Sequence, residues 1–202
     1  ITEVMNKSKL TAKDINSVGI TNQRETTIAW NKDSGKAYAN AIVWNDTRTT
    51  SICNTLAKGN IDLLRARTGL PIAPYFSASK MMWLFDHIPG LRADAEAGIA
   101  LMGTVDSFLI FKLTGGARHV TDVTNASRTL LMHIETLQWD ETCLSKLHIP
   151  PECLPEIMPF TSGEFGRVSC DGLECISNAL IGGVLGDQQA ALFGQTCFDE
   201  GE

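Results

Sequence analysis

Arg24 and Glu25 stand side by side in the run Thr21-Asn22-Gln23-Arg24-Glu25-Thr26. A guanidinium is a rigid fork of donors, and a carboxylate accepts through both oxygens. Together they suit a ligand whose groups both donate and accept, as each hydroxyl of a polyol does. Taken alone, the run reads rather as a solvated loop with a surface ion pair. A second run, Gly186-Asp187-Gln188-Gln189-Ala190-Ala191, follows an apolar segment. Glycine allows a tight backbone turn there. Asp187 then either caps the helix that follows or serves as a general base held by strand and helix, and the two roles are compatible. Trp44 and Tyr75, the latter in Pro74-Tyr75-Phe76-Ser77, pair an apolar body with a polar tip. They suit a small pocket gripping a carbon chain and one hydroxyl, though taken alone they read rather as two core aromatics.

Other reactive residues form no pattern. His87, His119, His133 and His148 have no acidic or serine partner at a spacing that signals a hydrolase triad. The polar run Asp122, Thr124, Asn125, Ser127 and Arg128 reads as the satisfaction of a turn. There is no Walker-type glycine loop, and Gly182-Gly183 is too short to cradle a phosphate. The six cysteines include no C-x-x-C pair, and Cys170 and Cys175 have no histidine near them. Free thiols in a reducing compartment are therefore expected rather than a zinc site or disulfides.

These residues need elements to hold them. A buried strand is expected over 14–20, a second over 27–31, and a third over 39–44. Asp33-Ser34-Gly35 is a turn signal that makes the third a hairpin partner of the second. A helix is expected over 47–58, capped by Asp46 or Thr47 and stopped by Gly59. Pro71 and Pro74 impose an extended segment, and Ser77 opens a helix to His87 ended by Pro89-Gly90. Further helices are expected over 92–97, 104–113 and 139–147, the second with Val105, Phe108, Leu109 and Phe111 inward. An edge strand or hairpin arm is expected over 164–169, and an apolar, glycine-rich segment over 179–186 leads into helical spacing over 187–193. Mixed strands and helices without an internal repeat indicate an α/β or α+β domain.

Composition narrows the function classes. The chain has 202 residues, 44% hydrophobic and 20% charged, with net charge −6. That is the balance of an ordinary globular domain with a real core. It lacks the basic face of a duplex nucleic-acid binder, and the clusters at 7–13 and 65–67 read as solvated surface. No apolar run approaches the ~20 residues that span a bilayer. Opening on Ile1 and stopping at Glu202, the chain reads as an excerpt of a longer protein.

Seven runs, in order, resemble the FGGY carbohydrate-kinase family: GITNQRETT (19–27), NAIVW (40–44), TGLP (68–71), PYFS (74–77), GTVDS (103–107), TDVTNASRT (121–129) and GDQQAAL (186–192). The resemblance covers nearly the whole chain and is loosest over 160–181. It implies an α/β, actin-like ATPase (ribonuclease H-like) fold, with this chain as most of the first of two domains. It implies ATP-dependent phosphorylation of glycerol to sn-glycerol 3-phosphate in the cytoplasm. By matching position, Arg24, Glu25, Tyr75, Asp187 and Gln188 would bind the glycerol hydroxyls, Trp44 would pack on the carbon backbone, and Asp187 would be the general base. ATP and Mg²⁺ would be bound mainly by an N-terminal phosphate-binding hairpin and a C-terminal domain that these residues do not include, so this chain would not turn over by itself. A homo-oligomer stays open. Rival expectations are a family kinase for a larger sugar, a catalytically silent polyol binder, and a purely structural domain.

Overall fold

The computed structural model describes residues 1–159 and 165–201. In chain order the first half comprises α1 (Thr2–Ser8), β1 (Ser17–Asn22), β2 (Thr27–Asn31), α2 (Thr50–Ala57), α3 (Arg65–Thr68), α4 (Ser77–His87), α5 (Leu91–Glu96) and β3 (Ala100–Thr104). The second half comprises α6 (Val105–Leu113), β4 (Val120–Asp122), α7 (Val123–Ala126), α8 (Glu141–Leu147), β5 (Glu156–Met158), β6 (Leu180–Gly186) and α9 (Asp187–Gly194).

Among the described residues the strands pair in twos. β1 runs parallel to β6, β2 antiparallel to β3, and β4 parallel to β5. Parallel partners need a long connection, and nearly the whole chain lies between β1 and β6. Their register shifts between Val18 and Gly19 and then holds to the end, where Asn22 faces Gly186. β1 starts at Ser17, later than expected, and only Ile20 and Asn22 are buried in it. One face packs and the other is open.

Two main cores form. Ala29 and Met102 of the β2–β3 pair pack with Met81, Leu84 and Phe85 of α4 and with Leu91 of α5. Ile20, Ile181 and Val184 of the β1–β6 pair pack with Ile110 of α6, Val120 and Phe165. Each such side chain contributes roughly 1.5–3 kcal/mol on full burial.

The α4 expectation holds residue for residue, since the chain before it is extended and Pro89-Gly90 follows. Other expectations change. The chain over 37–44 returns beside β2, but the expected strand over 39–44 is replaced by isolated bridges of Thr27 with Ile42 and Trp30 with Ala37. β2 pairs instead with β3, a fully buried strand that the sequence reading did not anticipate. The N-cap of α2 is Thr49, because Asp46 is engaged with Arg48, and Lys58 in left-handed conformation ends the helix one residue before Gly59. In α6, Leu109 is exposed, Val105 and Phe108 are half-buried, and the buried residues are Asp106, Ser107, Ile110 and Phe111. Asp106 is tolerated inside because Thr104 and Thr121 donate to its carboxylate. Burial pushes its carboxyl up to about 6. Arg67 is not merely solvated: its Nε donates to both oxygens of buried Asp140 at 2.9 Å. The expected arm over 164–169 lies partly outside the described residues. Its described part meets β6 through a single Arg167–Leu180 bridge.

Candidate functional site

Because β1 and β6 are parallel and end opposite one another, the segments leaving them emerge at one edge. Ligands of open α/β sheets bind outside such carboxyl ends. Here the edge presents Gln23, Arg24 and Glu25 from one strand and Asp187, Gln188 and Gln189 from the other. Arg24 Nε lies 3.4 Å from Asp187 Oδ1, and Arg24 Nη1 donates to Gln189 Oε1 at 3.3 Å. Residues 163 positions apart thus converge.

Gly186 makes that approach possible. A Cβ there would stand 2.2 Å from Arg24 Cδ and 2.7 Å from its Cγ. Its backbone, at φ −60° and ψ 154°, is ordinary for any residue. The glycine is therefore required by the side chain across from it, not by its own dihedrals. Gly186 N–H donates to Thr124 Oγ1 at 2.7 Å, and Thr124 in turn donates to Asp122, the N-cap of α7. The Asn22 side chain donates to Asn125 Oδ1 at 3.0 Å. The polar run at 122–128 thus satisfies a turn, as expected, and also braces both strand ends.

Gly186, not Asp187, is the N-cap of α9, and the helix has no side-chain cap. Asp187 Oδ1 accepts from the Gln188 amide at 2.9 Å, and its side chain is half exposed. Arg24 and Glu25 are buried, 8% and 2% exposed, so a solvated loop is ruled out. Glu25 Oε1 accepts from Arg128 Nε at 2.8 Å, and its backbone carbonyl accepts from Ser77 Oγ at 3.2 Å.

The aromatic wall comes from the segment before α4. Lys80, fully buried on the first turn of that helix, donates to the carbonyls of Pro74 at 2.9 Å and Tyr75 at 2.6 Å. Burial pulls its ammonium down to about 8, against the pull of Glu25 and Asp46. Its bonds pin Tyr75, whose ring meets Trp44 edge-on at 5.8 Å between centroids. Trp44 sits in the loop after Ile42, not at a strand end, and is 41% exposed. Its amide donates to Thr26 Oγ1 at 3.2 Å. Neither ring is a fully buried core aromatic.

Between these groups lies a hollow of about 210 Å³ lined by Gln23, Glu25, Trp44, Tyr75, Asp187 and Gln188. Five of the six expected site residues line it. Arg24 stands behind, reaching the rim through Asp187. Gln23 and Arg128 were not singled out as site residues. Arg128 could not have been, since its partner Glu25 lies 103 residues upstream. A larger hollow of about 530 Å³, with Ile52, Leu56 and Met82 in its wall, shares no residue with this one. Its wall carries Asp86, Lys58, Lys146 and His148 but no Trp, Tyr or Phe. Among the described residues no cluster of three or more His, Cys, Asp or Glu side chains is placed to hold a metal ion.

The chain resembles known proteins over nearly its whole length. Residues 1–194 match the model of the FGGY family of carbohydrate kinases, N-terminal domain. A glycerol kinase of Beijerinckia indica is 55% identical over 97% of this chain, and one of Brucella anthropi 52% identical over all of it. The chain spans about 40% of the length of each. The crystal structure of the Plasmodium falciparum glycerol kinase with ADP superposes with a TM-score of 0.91 at 43% identity, covering 99% of this chain and 41% of that one. The fold is that of the first domain of an actin-like ATPase.

Proposed function

This chain belongs to the FGGY family of carbohydrate kinases, and from that premise we propose that the protein of which it is part phosphorylates glycerol with ATP, giving sn-glycerol 3-phosphate in the cytoplasm. The observation that carries the reading is the convergence of Glu25 and Asp187 on one small hollow, with Arg24 behind it against Asp187. Pockets for drug-sized ligands run roughly 300–1,000 Å³. A hollow of about 210 Å³ suits something smaller. Its lining offers carboxylate acceptors from Glu25 and Asp187 and amide groups from Gln23 and Gln188 beside the aromatic Trp44 and Tyr75, which suits a short polyol. Relatives named glycerol kinase at 52–55% identity point the same way.

In this proposal Glu25, Tyr75 and Gln188 hold the glycerol hydroxyls, and Trp44 covers the carbon backbone. Arg24, from behind the hollow, fixes Asp187. Asp187 accepts the proton of the terminal hydroxyl as its oxygen bonds to the γ-phosphorus and the bond to ADP breaks. An alcohol is too weak an acid to ionise first, so the proton leaves late. A positioned base contributes roughly 10²–10⁴-fold. Six heavy atoms at about 1.5 kcal/mol each cap glycerol binding near ~9 kcal/mol, so micromolar affinity is the best available. ATP and its Mg²⁺, which neutralises phosphate charge when bound, are assigned mainly to parts of the protein outside this chain.

A substrate panel with the full-length protein tests the reading. ATP-dependent phosphorylation of glycerol should exceed that of pentoses and hexoses in kcat/KM. Equal or better turnover of a larger sugar would move the protein to another branch of the family. No phosphorylation alongside measurable glycerol binding would make it a silent binder.

A further inference from the structure

The Glu25 side chain is 3% exposed, so water cannot hold its charge or its orientation. Among the described residues its hydrogen-bond partner is Arg128, whose Nε donates to Oε1 at 2.8 Å. The same guanidinium lies 5.0 Å from the centroid of the Phe76 ring and 5.7 Å from that of Tyr75. Glu25 and Tyr75 both line the hollow. Arg128, just past α7, lines none of it and touches both.

We propose that Arg128 is a positioning residue for polyol recognition, fixing the Glu25 carboxylate against the Tyr75 wall so that the second oxygen is turned to a ligand hydroxyl. The inference rests on the polyol-kinase reading above and deepens it. A carboxylate offers about four lone-pair directions. With Oε1 engaged from one side, its rotation is stopped and Oε2 is the oxygen left for the hollow. A planar cation does this better than a lysine, because it donates in its plane while its faces rest on rings. The brace acts in both ground and transition states, so its loss should appear in KM rather than kcat.

The test is a double-mutant cycle in the full-length enzyme with Arg128→Met, Glu25→Gln and the double variant. Arg128→Met should raise the glycerol KM at least tenfold, leave kcat within about threefold and leave the ATP KM within about twofold. In the Glu25→Gln background the same change should have little further effect, because there is no longer a charge to orient. A purely structural role would instead add in full to the Glu25→Gln loss. Arg128→Met also strands a buried carboxylate and endangers folding. Arg128→Lys keeps the charge without the planar fork and serves as the second variant, with a smaller KM rise in the same direction. A wild-type glycerol KM in either Arg128 variant, or full additivity in the cycle, would overturn the inference alone. A wild-type protein that phosphorylates no polyol would overturn this inference and the functional reading together.

Discussion

Gly186→Ala is the most informative small change in the molecule, because it adds one methyl where the structure has no room. The new Cβ would stand 2.2 Å from Arg24 Cδ and 2.9 Å from Gln189 Oε1. Ordinary carbon contacts begin near 3.5 Å, so the arginine stem must move by more than about 1 Å. The backbone dihedrals at Gly186 suit alanine, so steric displacement accounts for the whole effect. Overpacking of this kind costs roughly 1–3 kcal/mol. At 1.36 kcal/mol per decade that is about a 5- to 150-fold loss of local protection. Hydrogen exchange in the full-length protein reads it in peptides covering β1 and β6. The decisive comparison is with Arg24→Ala, which removes the colliding atoms. In that background Gly186→Ala should cost little further protection. An undiminished loss would refute the claim that Arg24 packs on Gly186. Activity should follow: displacing Arg24 moves its guanidinium from Asp187, and hydrogen bonds to charged groups are worth roughly 1.5–3 kcal/mol. Arg24→Ala and Gly186→Ala should then each raise the glycerol KM by about 10- to 150-fold.

Two further outcomes depend on buried titratable groups. Burial holds the His119 imidazole down at about 4, where its Nε2 meets the Met102 carbonyl. The unfolded chain, titrating near 6.5, binds the proton first, so stability attributable to His119 falls as pH drops from 6.5 to 4, on the order of 3 kcal/mol. Asp106 has the opposite sign: with its carboxyl up at about 6, its contribution is full below 3.8 and is lost as pH rises through 6. His119→Phe should therefore gain stability relative to wild type as pH falls from 6.5 to 4, seen in unfolding curves, and a pH-independent difference would contradict it. Burial also pushes the Cys143 and Cys153 thiols up to about 12. In native protein they should resist a thiol reagent at neutral pH until unfolding, whereas half-buried Cys170 and Cys175 should label readily.

What the sequence revealed depended on how local the signal was. The Gly186-Asp187 junction and α4 carry their signals within a few residues, and their places were readable; the end of β1 was set two residues early, because polar Thr21 and Asn22 continue the strand. β3 was not anticipated: its five residues, Ala-Leu-Met-Gly-Thr, show no alternation, because every one of them is buried. The inward face of α6 was misjudged because Asp106 is as fully buried as Ile110, made tolerable by Thr104 and Thr121. Side-chain spacing in a helix cannot signal a carboxylate satisfied from outside that helix. Of the site, the acid, the arginine and the aromatic wall were legible as residue types. That Arg24 stands behind the hollow and Arg128 secures Glu25 was not, since these facts lie in contacts between distant segments.

The central claim is that the half-exposed carboxylate at the start of α9 takes the proton from the substrate hydroxyl. Asp187→Asn in the full-length protein, assayed for glycerol turnover and titrated calorimetrically with glycerol, tests it most directly. The account predicts a fall in kcat of about 10²–10⁴-fold with glycerol binding still measurable. Near-normal turnover in that variant would contradict it.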